Sequence, residues 1–420
     1  MARPTADLTD LASADLTGPE ISADPFPYFA RLREEAPVLW NTRHRAWLVA
    51  RHPEVVAALR NDAFGSDRVG PYFDRVKAAD RERLERLVAI LGRWLVFLSP
   101  PDHTRLRGLV HKSFTPRRVN ALRGRAEEIA TDLAAEVARR LEAGETVDLM
   151  SAYCMPLPAQ MIAGIFGVPV EDGIRLKVWA EELGLFVNGA LGDPDRDGRV
   201  AAAMLEFERY LLVLVEHYRV NPADNVLSGL VEANDRDGEL SETELLATCT
   251  LILDAGYKTI QNAMNNALLV LMWNPDSWER LKREPELVGS AVEECLRYFG
   301  PGNVIVRRAV RDIAVGHQVI SAGDRVYLLP AAANRDSSVF EDAEEFRIDR
   351  ADNPHLTFGQ GIHFCLGASL ARMELGAGLS AFLRLVERPT VAEAPGGLPW
   401  HNVLIIHGTE ALPVRAAVRA

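Results

Sequence analysis

The chain has 420 residues, of which 48% are hydrophobic and 25% charged, and its formal net charge is -12. This length exceeds the ~100–200 residues of a typical domain and is enough for a large core. The acidic balance argues against nucleic acid as the main partner, and the lack of any run of ~20 apolar residues argues against a membrane span.

The cysteine pattern argues against structural zinc and disulfides. The four cysteines, at positions 154, 249, 295 and 365, are widely separated, and no Cys-x-x-Cys pair occurs. A reducing, cytoplasmic location therefore fits the chain. Residues 1–23 show no signal or anchor pattern and are predicted to be a flexible N-terminal segment. Residues 24–420 contain no repeat or low-complexity linker and are predicted to form a single domain.

The first half of the domain shows alternating helical and strand-like patterns. The sequence pattern of residues 24–35 predicts an amphipathic helix. Two strand-like runs within residues 37–50 predict a hairpin around a polar turn. A proline pair at residues 100–101 precedes a helical pattern, because proline is favoured in the first turn of a helix. Helices are also predicted around a loop at residues 193–198. The helix after the prolines begins a basic cluster in an acidic protein: Arg105, Arg107, Lys112, Arg117 and Arg118.

A long, apolar helix is predicted in the middle of the chain. Ser241 and Glu244 have the spacing of a capping box, which marks a helix N-terminus. The helical pattern then continues to Trp273, where Asn274 and Pro275 end it. Because its apolar run is nearly continuous, the helix is expected to pass through the interior of the protein.

Shorter elements follow the long helix. Glu294 and Arg297 are three residues apart on a predicted helix, so their side chains can pair. On a surface such a pair contributes little to stability. Strands are predicted at residues 303–307 and in three runs up to residue 328, and residues 403–406 are strand-like.

Residues 358–367 place Cys365 behind a glycine-rich loop and directly before a helical pattern over residues 366–386. A lone cysteine is commonly an inert core residue. Here the free N–H groups and the positive dipole end of the helix favour a thiolate over a thiol. The glycines of the loop lack Cβ atoms, so the backbone can lie flat against a large planar ligand. They are Gly359, Gly361 and Gly367.

This loop resembles, position for position, the haem-binding loop of the cytochrome P450 family, and three further motifs resemble that family in the expected order. The resemblance covers nearly the whole chain. It implies a mainly α fold with small β-sheets, triangular and helix-rich. Haem b (iron protoporphyrin IX) is then expected between the long helix and the helix after the cysteine. Cys365 is implied as the iron ligand, since a thiolate there favours O–O cleavage.

The resemblance also implies the roles of other residues. The haem propionates are expected to bind cationic or N–H donors, namely His103, Arg107, Arg307 and His363. Other expected haem contacts are Ala255, Gly256, Phe358, Gly359 and Gly367. Glu294 and Arg297 resemble a buried pair that holds the cysteine loop in place. The substrate pocket is expected to include Asp254, Val304, Ile305, Leu404 and Ile405. The helices near residues 173–192 and 200–218 resemble a mobile lid over the substrate entrance.

The segment 255–259 resembles the oxygen-binding segment of the family, usually Ala-Gly-x-acid-Thr, and departs from it at one position. Thr259 matches the alcohol that relays protons to dioxygen, although a helical threonine often bonds its own i−4 carbonyl. Lys258 replaces the acid. Asp254 lies one turn earlier, in the order that favours an ion pair with Lys258. The expected catalytic residues are therefore Thr259, Lys258 and Asp254.

Three hypotheses remain at this point. In the first, Asp254 and Lys258 neutralise each other, and the enzyme is a monooxygenase that inserts one oxygen atom of O2 into a small organic substrate. In the second, altered proton delivery leads to oxidative coupling, cyclisation or the use of peroxide. In the third, the protein is a haem-binding sensor without turnover, against which Thr259 and the basic cluster argue.

The first hypothesis implies particular partners. Electrons are expected to arrive singly from a ferredoxin that is reduced by a ferredoxin reductase, and the basic cluster flanks the face where an acidic donor would dock. The substrate is expected to belong to specialised (secondary) metabolism. The protein is expected to be a cytoplasmic monomer that binds neither nucleic acid nor membrane.

Overall fold

The computed structural model describes residues 9–74, 76, 78–114, 116–188, 195–235, 239–393 and 397–417. The helices there are α1 (Thr9–Ser13), α2 (Pro19–Ala23), α3 (Phe26–Glu35), α4 (His52–Leu59), α5 (Val69–Phe73), α6 (Ala78–Leu91), α7 (Asp102–Ser113), α8 (Pro116–Ala121), α9 (Arg123–Glu142), α10 (Pro156–Phe166), α11 (Gly173–Asn188), α12 (Arg196–Val220), α13 (Val226–Asp235), α14 (Glu242–Trp273), α15 (Pro275–Arg283), α16 (Val288–Phe299), α17 (Pro330–Ala333) and α18 (Ala368–Leu385). The strands are β1 (Val38–Asn41), β2 (Ala46–Val49), β3 (Phe64–Gly65), β4 (Val147–Asp148), β5 (Ile305–Ala309), β6 (Ile313–Val315), β7 (Gln318–Ile320), β8 (Arg325–Leu328), β9 (Thr390–Val391) and β10 (Pro413–Arg415).

Three small sheets accompany the helices. The five-stranded sheet has the order β1-β2-β8-β5-β3, and β4-β10-β9 and β6-β7 form the other two. The predicted hairpin is present as β1 and β2, with Trp40 opposite Trp47. Strand β2 then pairs in parallel with β8, which joins the start of the chain to residues 325–328. The predicted class, mainly helical with small sheets, is confirmed.

Helix α14 runs through the core. Ser241 caps its first turn, because the Ser241 hydroxyl accepts the Glu244 N–H while the Glu244 carboxylate accepts the Ser241 N–H. The 32-residue helix spans about 48 Å at ~1.5 Å per residue. From residue 260 to 272 every residue is buried. It packs against α10, α11, α16 and α18, so residues near its midpoint have fixed positions relative to all four helices.

Helix α18 follows the cysteine loop and packs along α9, α14 and α16. The Tyr153 hydroxyl donates to the Gly378 carbonyl at 2.7 Å and is fully buried with it. These contacts anchor the helix that begins directly after Cys365. Among the described residues, no helix combines the length and apolar character needed to cross a bilayer.

Helices are present both in the predicted N-terminal segment and at the predicted lid. Helices α1 and α2 lie within the predicted N-terminal segment, and Leu11 and Leu16 there are buried. The predicted lid helices correspond to α11 and α12, which pack against each other. Residues 189–194, which include part of the predicted loop between them, lie outside the described residues.

Candidate active site

The cysteine loop depends on a glycine with positive φ. Gly361 has φ +72, and a Cβ there would lie 2.6 Å from the Leu59 carbonyl oxygen, so no other residue fits without displacement. The Cys365 N–H donates to the Phe358 carbonyl at 2.9 Å, which folds the loop back on itself. The loop thereby presents one sulfur next to the start of α18.

Burial and neighbouring groups shift the pKa of the Cys365 thiol in opposite directions. Burial raises the pKa of the Cys365 thiol, while a hydrogen bond from the Gly367 N–H and the charges of Arg107 and Arg372 act in the opposite direction. Burial outweighs them in the absence of a metal ion, and the thiolate at Cys365 stays a prediction. A thiolate at this position requires a further positive charge on the sulfur, which a bound metal ion supplies.

The four predicted propionate ligands come together from three parts of the chain. His103 and Arg107 lie on α7, Arg307 lies on β5, and His363 lies in the cysteine loop. The rings of His103 and His363 are 4.4 Å apart between centroids. Ser66, which the sequence gave no reason to select, contacts the Nε2 atom of His363 through its hydroxyl at 2.8 Å.

This cluster is rich in buried donors that lack anionic partners. Both ring nitrogens of His103 are buried without a hydrogen-bond partner. Arg307 is 6% exposed, and among the described residues its guanidinium donates to the carbonyl of the adjacent Val306 alone. Burial, together with the charges of Arg307, His103 and Arg107, lowers the pKa of His363 to about 3.

No described carboxylate forms an ion pair with these four residues. Burial and the charge of nearby Arg68 lower the pKa of Arg307 to about 10. Buried cations are unfavourable unless an anion balances them. A ligand that brings two carboxylates, as haem b does, therefore fits the residues that are present.

The middle of α14 faces this region with small residues. Ala255 is exposed and Gly256 half-buried, whereas Leu253 and Tyr257 beside them are buried. Ala255 is therefore uncovered, as expected of a residue that lines a ligand cavity, whereas the Cβ position of Gly256 lies 3.5 Å from the Cδ1 atom of Ile162. The Thr259 hydroxyl donates to the Ala255 carbonyl at 2.5 Å, so it forms the local i−4 bond that competes with a relay role.

The predicted ion pair between Asp254 and Lys258 is absent. No contact within 4.0 Å joins their charged atoms in the described residues, and neither side chain has a hydrogen-bond partner there. Asp254 lies deep in the protein, where burial raises its pKa to about 7 despite the charges of Lys258 and Arg68. Burial and the charge of Lys258 lower the pKa of His401 to about 4, so the Lys258 charge acts on His401 as well as on Asp254. Mutual neutralisation through a direct pair is therefore wrong.

The four apolar residues predicted for the substrate pocket lie at the start of β5 and in the C-terminal segment, which contact each other. Val304 is buried and shares an apolar cluster with Leu404. The Asn303 N–H donates to the Ile405 carbonyl at 2.9 Å, which joins the start of β5 to the C-terminal segment. Ile305 packs in a different apolar cluster from Val304, and its Cδ1 atom lies 3.9 Å from the Cβ position of Gly359 in the cysteine loop. Residues 403–405 form no strand, and an isolated bridge at Ile406 takes its place.

Glu294 and Arg297 form a fully buried, bidentate pair with distances of 2.7 and 2.8 Å. Arg297 also donates to three backbone carbonyls. Arg350 is a second cation on Glu294, at 3.1 Å, and sequence reasoning did not select it. The network reaches the cysteine loop because the Thr357 hydroxyl donates to the Leu296 carbonyl at 2.6 Å.

A separate groove of about 1470 Å³ opens between α3, the end of α14 and residues 335–345. Aromatic side chains line it, namely Phe26, Trp273, Tyr298, Phe299 and Trp400. None of the residues predicted to contact haem or substrate lines this groove. This groove is therefore separate from the candidate active site.

Comparisons with known proteins agree with this geometry. The family model for cytochrome P450 matches residues 213–388. Cytochrome P450 107B1 of Saccharopolyspora erythraea is 37% identical over 418 residues, which cover 98% of this chain and 99% of the relative. The polyketide biosynthesis cytochrome P450 PksS of Bacillus subtilis is 33% identical over 410 residues, covering 94% and 97%. The crystal structure of CalO2 has a TM-score of 0.88 at 27% identity and covers 97% of this chain and 99% of its own.

Proposed function

The chain belongs to the cytochrome P450 family, a family of haem b monooxygenases, and from this premise we propose that Cys365 is the ligand of the haem iron. The observation that carries the proposal is the loop geometry. One sulfur, with the Gly367 N–H and two arginines near it, lies directly before α18, the helix that packs against α14. Haem bound there supplies the reductive activation of dioxygen for insertion of one oxygen atom into an organic substrate.

We assign the propionates to His103, Arg107, Arg307 and His363. Their support is the cluster of buried donors without carboxylate partners. Phe358, Gly359 and Gly367 would contact the haem on the cysteine side, and Ala255 and Gly256 on the other side. Arg68 adds positive charge beside Arg307.

The substrate is proposed to be a small molecule of specialised metabolism that presents a cation or a hydrogen-bond donor to Asp254. Asp254 is a deeply placed carboxylate to which no described residue donates a hydrogen bond. A buried acceptor of this kind needs a donor from its ligand. Relatives support the metabolic class, among them PksS of polyketide biosynthesis and the nocardicin C N-oxygenase of Nocardia uniformis, 34% identical over 407 residues.

The electron donor is proposed to be a ferredoxin that docks on the α7 face of a monomer. The basic cluster there is partly neutralised, since Arg105 pairs with Glu244, and Arg117 and Arg118 pair with Asp224. Lys112 is exposed, and the Arg107 guanidinium donates to the Phe364 carbonyl at 2.6 Å, one residue before the cysteine. Phe364 is 38% exposed, so the path from this face to Cys365 is short.

The assignment of Cys365 is tested by spectroscopy of the purified holoenzyme. Reduced protein treated with carbon monoxide is expected to show the absorption maximum that a thiolate ligand gives in this family. Cys365→Ser is expected to lose it, while Cys249→Ala, which changes a buried cysteine on α14, is expected to keep it. Retention of the thiolate spectrum by Cys365→Ser would remove the assignment.

The substrate class is tested by titrating the haem Soret band with chain-matched ligands. Myristic acid is one arm, because the myxobacterial P450 CYP267B1, 33% identical with a TM-score of 0.85, was solved with it. Tetradecyltrimethylammonium is the other, since it carries a cation but no lone pair to ligate iron. Tighter binding of the cation to the native protein, lost in Asp254→Asn, supports the proposal. Equal affinities of both proteins for both ligands would contradict it. Product mass then separates insertion, which adds one oxygen atom, from coupling, which removes hydrogens.

A further inference from the structure

The carboxylate of Glu293 binds an arginine beside the cysteine loop. Glu293 lies on α16 next to Glu294, and it accepts two hydrogen bonds from Arg372 of α18, at 2.7 and 2.8 Å. A guanidinium that donates both bonds to one carboxylate has a fixed orientation. The pair therefore joins the start of α18, just after Cys365, to α16.

His355 holds the same carboxylate from the segment before the cysteine. The Thr357 N–H donates to the His355 Nδ1 atom at 3.3 Å, so the ring hydrogen lies on Nε2. This Nε2 atom is 3.2 Å from the Glu293 Oε2 atom, to which it donates. The His355 side chain is 2% exposed and that of Glu293 27%. Glu293 is thus held by donors that precede and follow the cysteine in sequence.

Arg372 also contacts the cysteine loop directly. Its guanidinium carbon lies 4.5 Å from the centroid of the Phe358 ring, which is a cation–π contact. The Phe358 carbonyl in turn accepts the Cys365 N–H at 2.9 Å. The Arg372 side chain is 40% exposed, so the ion pair and the ring contact hold it in place rather than burial. A positive charge is therefore fixed on a residue that is hydrogen-bonded to the cysteine.

The two charges of this pair act on the sulfur in opposite directions. Burial raises the pKa of the Cys365 thiol, and the positive charge of Arg372 is among the influences that lower it. The Glu293 carboxylate offsets part of that positive charge because it contacts two guanidinium nitrogens. Both side chains are partly exposed, so solvent screens each charge and the remaining effect on the sulfur is moderate.

We propose that Glu293 is a positioning residue that limits the positive charge Arg372 brings to Cys365 and thereby sets the reduction potential of the bound haem. The proposal rests on the proposed role of Cys365 as the iron ligand. Reduction adds one electron, which the electron donor supplies, and a positive charge nearby stabilises the reduced form. The paired carboxylate therefore keeps the potential lower than Arg372 alone would.

A purely mechanical role for the pair is the alternative. Glu293, His355 and Arg372 join α16, the segment before the cysteine and α18. If the pair only held the loop, removal of either partner would loosen it and shift the potential in the same direction. A charge effect shifts the potential in opposite directions, because the two residues carry opposite charges. The signs of the two shifts therefore distinguish the roles.

The proposal is tested by spectroelectrochemical titration of the substrate-free holoenzyme at low ionic strength, where salt screens the charges least. Glu293→Gln keeps an oxygen that can accept from Arg372 and is expected to raise the potential. Arg372→Gln is expected to lower it. Each variant is expected to change the ferric–ferrous equilibrium at least threefold, which is about 28 mV at ~59 mV per tenfold for one electron.

Three further variants sharpen this comparison. The double variant Glu293→Gln/Arg372→Gln removes both charges and is expected to lie closer to the native potential than either single variant. Glu293→Asp keeps the negative charge and is expected to have the native potential. Glu182→Gln is the matched control, because Glu182 also accepts two bonds from an arginine, Arg199, at similar exposure but on the lid helices. It is expected to leave the potential native.

Shifts of the same sign in Glu293→Gln and Arg372→Gln, or no shift in either, would overturn the proposal. If Glu293→Gln does not retain haem, Arg372→Lys provides the comparison, since lysine keeps the charge without the bidentate pair. Its potential is expected to lie nearer the native value than that of Arg372→Gln, and equal shifts in the two arginine variants would overturn the proposal.

The carbon monoxide spectrum of the same proteins separates this failure from a failure of the proposed function. If the thiolate absorption is present and the potentials do not follow the expected signs, Cys365 remains the iron ligand and only the role of Glu293 is wrong. If native holoenzyme lacks that absorption, both proposals are removed.

Discussion

The two sides of the active site treat buried charge in opposite ways. On the cysteine side, Glu294 is fully buried but contacts two arginines, and each of its oxygens accepts hydrogen bonds. On the α14 side, Asp254 is half-buried and accepts none from the described residues. The first arrangement holds a loop in one geometry. The second leaves an acceptor for a ligand.

The pKa values of two carboxyls express the same contrast. Burial alone would raise the pKa of Glu293, but hydrogen bonds from His355 and Arg372 outweigh it and lower the pKa to about 2. Burial of Asp254 prevails over distant cations and raises its pKa to about 7. Glu293 and Glu294 thus have hydrogen-bond donors on both sides, whereas Asp254 has none among the described residues. Variants of each carboxylate test this difference.

The largest effect is expected for Glu294→Gln. The variant leaves Arg297 and Arg350 buried without their anion, and breaking one half of such a pair costs about 3–5 kcal/mol. The free energy of unfolding in urea is expected to fall by that amount, and haem is expected to transfer faster to apomyoglobin. Glu128→Gln, which breaks an exposed pair with Arg125, is the control. A loss below ~1 kcal/mol would show that the network does not hold the loop.

Asp254→Asn is expected to stabilise the apo form at neutral pH. The unfolded carboxyl ionises near ~3.9, whereas the folded one ionises near 7. Between these values the native state keeps a proton that the unfolded state has lost, so native stability falls as the pH rises from about 4 to 7.

The asparagine variant removes this fall, which amounts to a few kcal/mol at about 1.36 kcal/mol per pKa unit. Urea unfolding at pH 5 and pH 7.5 measures it. Asp132→Asn, at an exposed position on α9, should retain the native pH dependence. A native-like fall in the Asp254→Asn protein would mean that this carboxyl is not desolvated.

Sequence reasoning succeeded where local chemistry decides the structure. The capping box at Ser241, the end of α14 at Trp273 and the glycine-rich turn before Cys365 depend on neighbours a few residues away. It failed where partners are remote in sequence. Arg350 joins Glu294 only after a chain reversal, and Asp254 makes no ion pair with Lys258 although they are one helical turn apart. Helical spacing permits a pair but does not show which competing partner lies closer in space.

Glu293→Gln is expected to have a smaller effect of opposite pH sign. Because its folded pKa is lowered to about 2, the carboxylate stabilises the native state above its unfolded pKa of ~4.3, and this stability is lost as the pH falls toward 2. The variant is expected to lose about 1–3 kcal/mol at pH 7 and less at pH 3. Arg372 also lies 4.5 Å from the centroid of the Phe358 ring, so the loop is expected to loosen. Urea unfolding at pH 3 and pH 7 provides the comparison, and a deficit that is the same at both pH values would contradict the assignment.

The smallest loss of stability is expected for a variant at the start of α14, the helix that packs against α7 through Glu244 and Arg105. Ser241→Ala removes the hydroxyl that accepts the Glu244 N–H at 3.2 Å, and loss of such a cap costs about 1 kcal/mol. Glu244 also pairs with Arg105 of α7, so the cap helps to hold the long helix against the helix that carries His103 and Arg107. Ser241→Asp keeps an acceptor and is expected to retain native stability. If Ser241→Ala weakened haem retention as much as Glu294→Gln, the start of α14 would be as important for holding the haem as the Glu294 network. That result would contradict the difference drawn between the two sides.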